Sequence, residues 1–152
     1  MPLSPYVAVV GPGDASPEEA DAAEQVGAGL ARAEAVVVCG GLGGVMEAAC
    51  RGAYRAGGMT IGILPGTDRA AANEWARVVI PTGMGEMRNA LVVRAADAVI
   101  AVGGGYGTLS EVALALRAGV PVVGVDTWTI DGVIGVGSPA DAVATAVARV
   151  AG

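Results

Sequence analysis

Residues 98–111 read AVIAVGGGYGTLSE, and this stretch decides the fold that we expect. Its first five residues are apolar, as is typical of a buried parallel strand. A glycine-rich turn over residues 103–107 follows, and apolar residues then recur at helical spacing from Leu109 until Gly119 ends the helix. A strand, a glycine turn and a helix in this order bring free backbone N–H groups and the positive end of a helix dipole to one place, where a phosphate can bind.

Two polar side chains lie in the first turns of this predicted helix. Thr108 can cap the helix or bind a phosphate oxygen. Glu111 lies about one turn in, and a carboxylate beside a phosphate needs a further role, such as holding a ribose hydroxyl or acting on a proton. It can equally be an ordinary acid that the helix dipole favours near an N-terminus. The motif alone leaves both interpretations open.

The same alternation of apolar runs and helical segments continues along the chain. Predicted strands are residues 6–10, 35–39, 59–64, 98–102 and 120–125, with a further short strand of unknown position within residues 74–80. Pro121 favours an edge position for the last of them. Strands and helices joined by right-handed crossovers predict an α/β fold with a doubly wound parallel sheet, Rossmann-like, in a single three-layer domain over residues 1–152. Ligands of such folds bind at the carboxyl ends of the strands.

Two earlier glycine-rich turns also follow predicted strands. Gly11 and Gly13 resemble the opening of a dinucleotide fingerprint, but Ser16 stands where the third glycine belongs, and the second strand lacks a terminal acid. We therefore expect a structural turn or a phosphate-facing loop there. The other turn allows the backbone to approach a ligand or a neighbouring element closely. It contains Gly40, Gly41, Gly43 and Gly44.

Arg88 and Asn89 lie near the start of the helix that precedes residues 98–111. Arginine is the usual residue for bidentate recognition of phosphate. The alternative is a surface arginine paired with Glu86 or Asp97, but the adjacent glycine turns favour a ligand. Trp128 follows the last predicted strand, where it can cover a planar base or simply pack.

The composition of the 152-residue chain excludes several kinds of chemistry. There is no lysine and no histidine, and all nine basic residues are arginine. A P-loop lysine, a Schiff base to pyridoxal phosphate, a Ser-His-Asp triad and an imidazole metal site are therefore absent. Cys39 and Cys50 lack the spacing of metal ligands, and we expect reduced thiols used for packing. We predict no metal site and no required cofactor.

Charge and hydrophobicity limit the partners. A net charge of -6 without a basic run argues against nucleic acid. No apolar run reaches the ~20 residues that a membrane span needs. Because 53% of the residues are hydrophobic and only 16% charged, we expect a homo-oligomer, a dimer or tetramer, that buries the excess apolar surface. The start of the chain shows no basic region of a signal peptide, which favours a cytoplasmic location.

Several of these motifs resemble one family. Residues 103–111 resemble the P-G-G-x-G-T-x-x-E signature of the LOG (Lonely Guy) family, whose members are often labelled lysine decarboxylases. Residues 40–46 resemble its earlier glycine turn, and residues 87–89 its M-x-x-R-K segment. LOG enzymes hydrolyse the N-glycosidic bond of cytokinin nucleoside 5′-monophosphates and release ribose 5-phosphate. The resemblance implies Arg88 and Glu111 as the catalytic pair of such a phosphoribohydrolase.

Two departures from these motifs resemble a sister group instead. Gly103 replaces the proline of the signature, and Asn89 replaces the lysine after the catalytic arginine. In these features the chain is similar to the molybdenum cofactor carrier proteins, which share the Rossmann-like fold, form oligomers and bind a phosphorylated pterin without known turnover. The resemblance implies a carrier for a nucleotide-like phosphate ligand, with the molybdenum cofactor or a nucleoside monophosphate as candidates. The phosphoribohydrolase is the alternative, and an oligomeric scaffold with a vestigial pocket is a third hypothesis.

The carrier and the phosphoribohydrolase hypotheses both require a small phosphorylated ligand that binds at the same site. The residues predicted to bind the phosphorylated ligand are Gly11, Gly13, Gly40, Gly41, Gly43, Gly44, Arg88, Asn89, Gly103, Gly104, Gly105, Tyr106, Gly107, Thr108 and Glu111. Lysine decarboxylation is excluded, since no lysine is present to hold pyridoxal phosphate.

Overall fold

The computed structural model describes residues 3–152, which form seven strands and five helices. Met1 and Pro2 lie outside the described residues, and they belong to the start of the chain in which no basic region of a signal peptide was found. In chain order the elements are β1 (Tyr6–Val10), α1 (Pro17–Arg32), β2 (Val36–Cys39), α2 (Val45–Arg55), β3 (Thr60–Leu64), β4 (Val78–Pro81), α3 (Arg88–Arg94), β5 (Ala98–Val102), α4 (Tyr106–Ala118), β6 (Val122–Val125), β7 (Val133–Val136) and α5 (Pro139–Ala151). Within these residues, no helix combines the length and the apolar character that crossing a membrane requires.

All seven strands pair in parallel in one sheet, in the order β4-β3-β2-β1-β5-β6-β7. On one side of β1 lie β2, β3 and β4, in that order, and β4 is at the edge. On the other side of β1 lie β5, β6 and β7. The strand order therefore reverses between β1 and β5, where the crevice at the carboxyl ends is the usual ligand site of this class of fold. The predicted doubly wound parallel sheet and Rossmann-like α/β fold are confirmed.

The core lies on both faces of the sheet because neighbouring residues of a strand point in opposite directions. Val9 and Ile100 belong to the layer that packs under α1, α2 and α5. Val10 and Val99 belong to the opposite layer, which packs under α3 and α4. The central strands are buried on both sides, which explains why they read as unbroken apolar runs.

One detail of the predicted sheet was wrong, and one strand, β7, was not predicted. The strand after Pro121 is not at the edge, because β7 pairs with β6 in parallel along its whole length. Pro121 lies one residue before β6, and its carbonyl accepts a hydrogen bond from the Val99 N–H at 2.8 Å. The missing N–H of the proline therefore disrupts no ladder bond within the strand. The short strand expected within residues 74–80 corresponds to β4, at one edge of the sheet.

Candidate functional site

A cavity of about 300 Å³ opens at the crevice where the strand order reverses. The turns after β1 and β5 form two of its walls, and the start of α3 forms a third. Its lining residues are Gly11, Pro12, Gly13, Met46, Arg88, Asn89, Gly105, Gly107, Thr108 and Glu111. The structure thus brings together residues from three separated segments that the sequence had singled out.

The amino end of α4 carries unsatisfied donors into this cavity. Gly105 is the N-cap residue and has no side chain with which to bond the first-turn N–H groups. Thr108, in that first turn, is only 1% exposed. Its hydroxyl oxygen has no hydrogen-bond partner among residues 3–152. Thr108 therefore does not cap the helix, and its hydroxyl group is buried without a protein acceptor.

Arg88 is a buried cation, not a surface residue. Its Nε donates to the carbonyl oxygen of Ile63 at 3.0 Å, and its Nη2 donates to that of Gly40 at 3.5 Å. Nη1 donates to the side-chain oxygen of Asn89. In the described part of the chain Arg88 forms no ion pair with Glu86 or Asp97, so the surface-pair interpretation was wrong.

Asn89 connects α3 to the first turn of α4. Its Nδ2 donates to the hydroxyl oxygen of Ser110 at 3.2 Å, and that hydroxyl donates to the carbonyl oxygen of Gly107 at 2.7 Å. Because Asn89 also accepts from Arg88, one amide side chain fixes the arginine relative to the glycine turn. This is the position at which the LOG motif has a lysine.

Glu111 lies in the cavity wall with only 8% of its surface exposed. Burial raises the pKa of its carboxyl group from an ordinary 4.5 to about 7, and the nearby Arg88 charge only partly opposes that rise. The group is therefore protonated in a large fraction of molecules at neutral pH. Glu111 is buried and lies beyond the first turn of α4, so the interpretation as an ordinary acid at the helix N-terminus does not describe this side chain.

The glycines after β2 do not line the cavity, but they pack against residues that form its wall. At Gly44 the backbone has φ 67 and ψ -130, and an added Cβ would lie 2.3 Å from the carbonyl oxygen of Pro12. The turn after β2 therefore packs directly on the turn after β1. At Gly40 an added Cβ would lie 2.6 Å from Arg88 Nη2, so the missing side chain makes room for the guanidinium group.

Other predicted residues also lie outside the lining of this cavity. They are Gly41 and Gly43 after β2, and Gly103, Gly104 and Tyr106 after β5. Tyr106 is 85% exposed, and its ring stacks near that of Trp128. Trp128 Nε1 donates to the carbonyl oxygen of Gly105 at 3.1 Å, so the indole packs on the glycine turn. Whether any of these residues contacts a ligand stays a prediction.

Pro12 and Met46 line the cavity, although sequence reasoning did not select them. Pro12 lies between two predicted glycines, and Met46 is the second residue of α2, which begins directly after the glycine turn that follows β2. Neither residue carries a sequence signal of its own. Within residues 3–152, no group of three or more histidine, cysteine, aspartate or glutamate side chains is placed to hold a metal ion.

The model of the SLOG cluster4 family matches residues 4–150. The chain belongs to this family. An uncharacterized protein of Archaeoglobus fulgidus is 44% identical to this SLOG cluster4 chain over 113 residues, which are 74% of each protein.

Two solved structures are similar to this member of the SLOG cluster4 family over nearly its whole length. The molybdenum cofactor binding protein from the phototrophic bacterium Rippkaea orientalis has a TM-score of 0.92 and 35% identity, covering 99% of both chains. The molybdenum cofactor carrier protein from Chlamydomonas reinhardtii has a TM-score of 0.90 and 32% identity, covering 99% of this chain and 100% of the other. The predicted resemblance to LOG-like proteins and to molybdenum cofactor carriers is confirmed.

Proposed function

We propose that this protein binds a small phosphorylated, nucleotide-like ligand in the crevice between β1 and β5 and serves as its binding or carrier protein. The buried, unpartnered hydroxyl group of Thr108 is the observation that carries this proposal. A buried polar group without a partner costs about 1–3 kcal/mol, and of the two such hydroxyl groups among residues 3–152, those of Thr108 and Thr127, only Thr108 lines this cavity. A phosphate oxygen in the cavity would accept the hydrogen bond.

The backbone supports the same ligand chemistry. The first N–H groups of α4 have no intrahelical acceptor, and Gly105 provides no side-chain cap. These N–H groups and the helix dipole favour an anion at the helix N-terminus. Glycine at positions 105 and 107 lets that anion approach the backbone closely.

The charges of the cavity suit a phosphate at neutral pH. Arg88 brings one positive charge into the wall. Glu111, with its pKa raised to about 7, is neutral in about half of the molecules at that pH and in most of them below it, so it repels an anion less than an ordinary carboxylate would. The cavity therefore attracts a phosphate group although the whole chain carries a net charge of -6.

The solved relatives suggest the molybdenum cofactor, a pterin phosphate, as the first ligand to try. A carrier fits better than an enzyme because Gly103 and Asn89 depart from the catalytic motifs of the LOG family, and Asn89 is bonded within the protein to Arg88 and Ser110. The guanidinium group of Arg88 uses three of its five N–H donors within the protein and keeps two for a ligand. We further infer a homo-oligomer, as the composition predicts, and a cytoplasmic location, which free cysteines favour.

Calorimetric titration with ribose 5-phosphate, which carries the phosphate without a base, tests the proposal. We expect Thr108→Val to weaken its affinity roughly tenfold, because one hydrogen bond to a charged group is lost. Thr145→Val, which changes a threonine of α5 on the sheet face opposite α3 and α4, is the matched control and should bind like the wild type. Equal affinity in wild type and Thr108→Val would contradict the proposed site, and no binding of any phosphate ligand would leave the scaffold hypothesis.

A phosphoribohydrolase is the second candidate, and Glu111 is the observation that favours it. A carboxyl group with a pKa near 7 inside a cavity can donate or accept a proton at neutral pH, and a positioned acid or base typically contributes ~10²–10⁴-fold to a rate. The test is release of ribose 5-phosphate from a panel of nucleoside 5′-monophosphates. Release that Glu111→Gln abolishes, while ligand binding persists, would establish the hydrolase and overturn the carrier proposal.

A further inference from the structure

A second cavity of about 500 Å³ adjoins the phosphate cavity. The two cavities share Asn89 and Gly107 in their walls, so they meet beside the first turn of α4. Most of the second cavity is lined by apolar surface, with a carboxylate and a hydroxyl among its lining groups. Its remaining lining residues are Glu86, Met87, Ala90, Tyr106, Ser110 and Leu114. Apolar walls with a few polar groups are typical of small-molecule sites.

Tyr106 provides a flat, open surface in this cavity. Its ring is 85% exposed although it follows directly on the glycine turn that begins α4. The ring of Trp128 lies nearly parallel to it, at 25° with 6.3 Å between the centroids. The hydrogen bond from Trp128 to Gly105 fixes the indole, and the indole in turn supports the tyrosine ring. An aromatic ring held in place and exposed is suited to stacking with another flat ring.

Large apolar side chains also converge on the cavity from both helices. Met87 is 72% exposed just before α3, and Leu114 is 37% exposed on α4. A single exposed apolar residue is ordinary on a protein surface. Three large ones, Tyr106, Met87 and Leu114, line this one cavity beside a polar pocket, and such a patch indicates a binding site. A thioether is polarizable and adapts to aromatic partners, so Met87 suits the same flat ligand as Tyr106.

We propose that this second cavity binds the flat heteroaromatic ring of the ligand whose phosphate lies at the amino end of α4, an inference that rests on the proposed function. The ring stacks on Tyr106 and contacts Met87. Glu86 is exposed at the cavity and accepts hydrogen bonds from ring or amino N–H groups. The ligand is therefore a planar, N–H-bearing ring joined to one phosphate, the chemistry that a purine nucleotide and a pterin phosphate share.

Three probes separate this inference from the proposed function. Ribose 5-phosphate has the phosphate alone, guanosine 5′-monophosphate adds a purine ring, and a pterin monophosphate adds a pterin ring. We expect the two ring-bearing probes to bind wild type at least fivefold more tightly than ribose 5-phosphate, because stacking on an aromatic side chain contributes to affinity. The tighter of the two identifies the ring that the cavity prefers.

Substitutions at Tyr106 then locate the stacking. Tyr106→Ala should remove the gain for the ring-bearing probes and leave ribose 5-phosphate within twofold of wild type. Tyr106→Phe keeps the ring and should restore the gain. Tyr54→Ala removes an exposed tyrosine of α2 far from either cavity and should bind like wild type.

The outcomes are distinguishable. If ribose 5-phosphate binds but Tyr106→Ala leaves all three affinities unchanged, the second cavity is not the ring site, and the proposed phosphate site survives. If no probe binds wild type, the proposed function fails together with the inference. If Tyr106→Ala instead lowers the oligomeric mass measured by light scattering, the cavity is a contact between copies of the chain, and the inference is overturned.

Discussion

Glu111 links stability to pH through a single buried carboxyl group. Its pKa is about 7 in the folded chain and near 4.5 when the chain unfolds, so the folded state holds the proton more tightly. The contribution of this group to the free energy of unfolding is therefore greatest below about pH 4.5 and falls as the pH rises from 4.5 towards 7. Above about pH 7 this contribution changes no further. At pH 8 the buried charge costs about 3 kcal/mol.

Glu111→Gln should abolish this pH dependence because glutamine stays neutral. We expect the variant to unfold at higher urea concentration than wild type at pH 8, and at a similar concentration at pH 4. Glu18→Gln, at the exposed start of α1, controls for the loss of one negative charge. A stability difference between Glu111→Gln and wild type that is the same at both pH values would show that the carboxyl group is not buried as described.

The hydroxyl group of Thr108 lowers the stability of the ligand-free protein but is expected to strengthen phosphate binding. Its hydroxyl group is buried without a partner, so Thr108→Val should raise the free energy of unfolding of the ligand-free protein, by roughly 1 kcal/mol, while it weakens phosphate binding. Urea unfolding with and without ribose 5-phosphate measures both effects. A variant that is less stable than wild type without ligand would mean that the hydroxyl group has a partner in the protein.

At the scale of elements, the site depends on how the glycine turn after β2 packs on the turn after β1. Gly44→Ala would place a methyl carbon 2.3 Å from the Pro12 carbonyl oxygen, and would also strain a backbone with φ 67 and ψ -130. Gly57→Ala is a matched control, because Gly57 also has a positive φ but has open space around it.

We expect Gly57→Ala to cost roughly 1–2 kcal/mol from backbone strain alone and Gly44→Ala to cost clearly more. Gly44→Ala should also weaken ribose 5-phosphate binding, since the cavity wall at Gly11 and Gly13 must move. Thermal unfolding and calorimetry of the two variants make the comparison. Equal destabilisation would show that the contact between the two turns contributes nothing.

Local sequence was sufficient to predict most of these elements. Ser16 and Ser138 each stand before a proline, a local capping pattern, and their hydroxyl groups accept from backbone N–H groups at the starts of α1 and α5. Gly119 ends α4 with a positive φ as predicted. β7 was missed because its four residues include Gly135 and follow a loop, so that no local pattern distinguishes it from a turn. The edge position expected after Pro121 was wrong for the same reason, since strand order depends on pairing between distant segments.

Across the whole molecule, the parallel sheet explains why separate motifs meet. The turns after β1 and β5 meet because those strands are neighbours in the sheet, and the start of α3 joins them at the carboxyl edge. Sequence reasoning could select residues in each motif, but it could not show that Arg88 is buried or that Asn89 ties it to α4. Those facts depend on side-chain packing between elements that are distant in sequence.

Large apolar side chains are also exposed at one edge of the sheet, away from both cavities. Met59 lies just before β3, and Val78 and Ile80 lie on the edge strand β4. We expect light scattering coupled to gel filtration to give the mass of a dimer or a tetramer at micromolar concentration. A mass equal to that of one chain at all concentrations would contradict the homo-oligomer.

The most direct test of the phosphate site is an NMR titration of the ¹⁵N-labelled protein with ribose 5-phosphate. If the phosphate lies at the amino end of α4, the amide signals of residues 106–108 should show the largest shifts, moving downfield as their N–H groups gain a charged acceptor. The same shifts should shrink in Thr108→Val at equal ligand concentration. Saturable shifts elsewhere on the protein with those three amides unmoved would contradict the site described here.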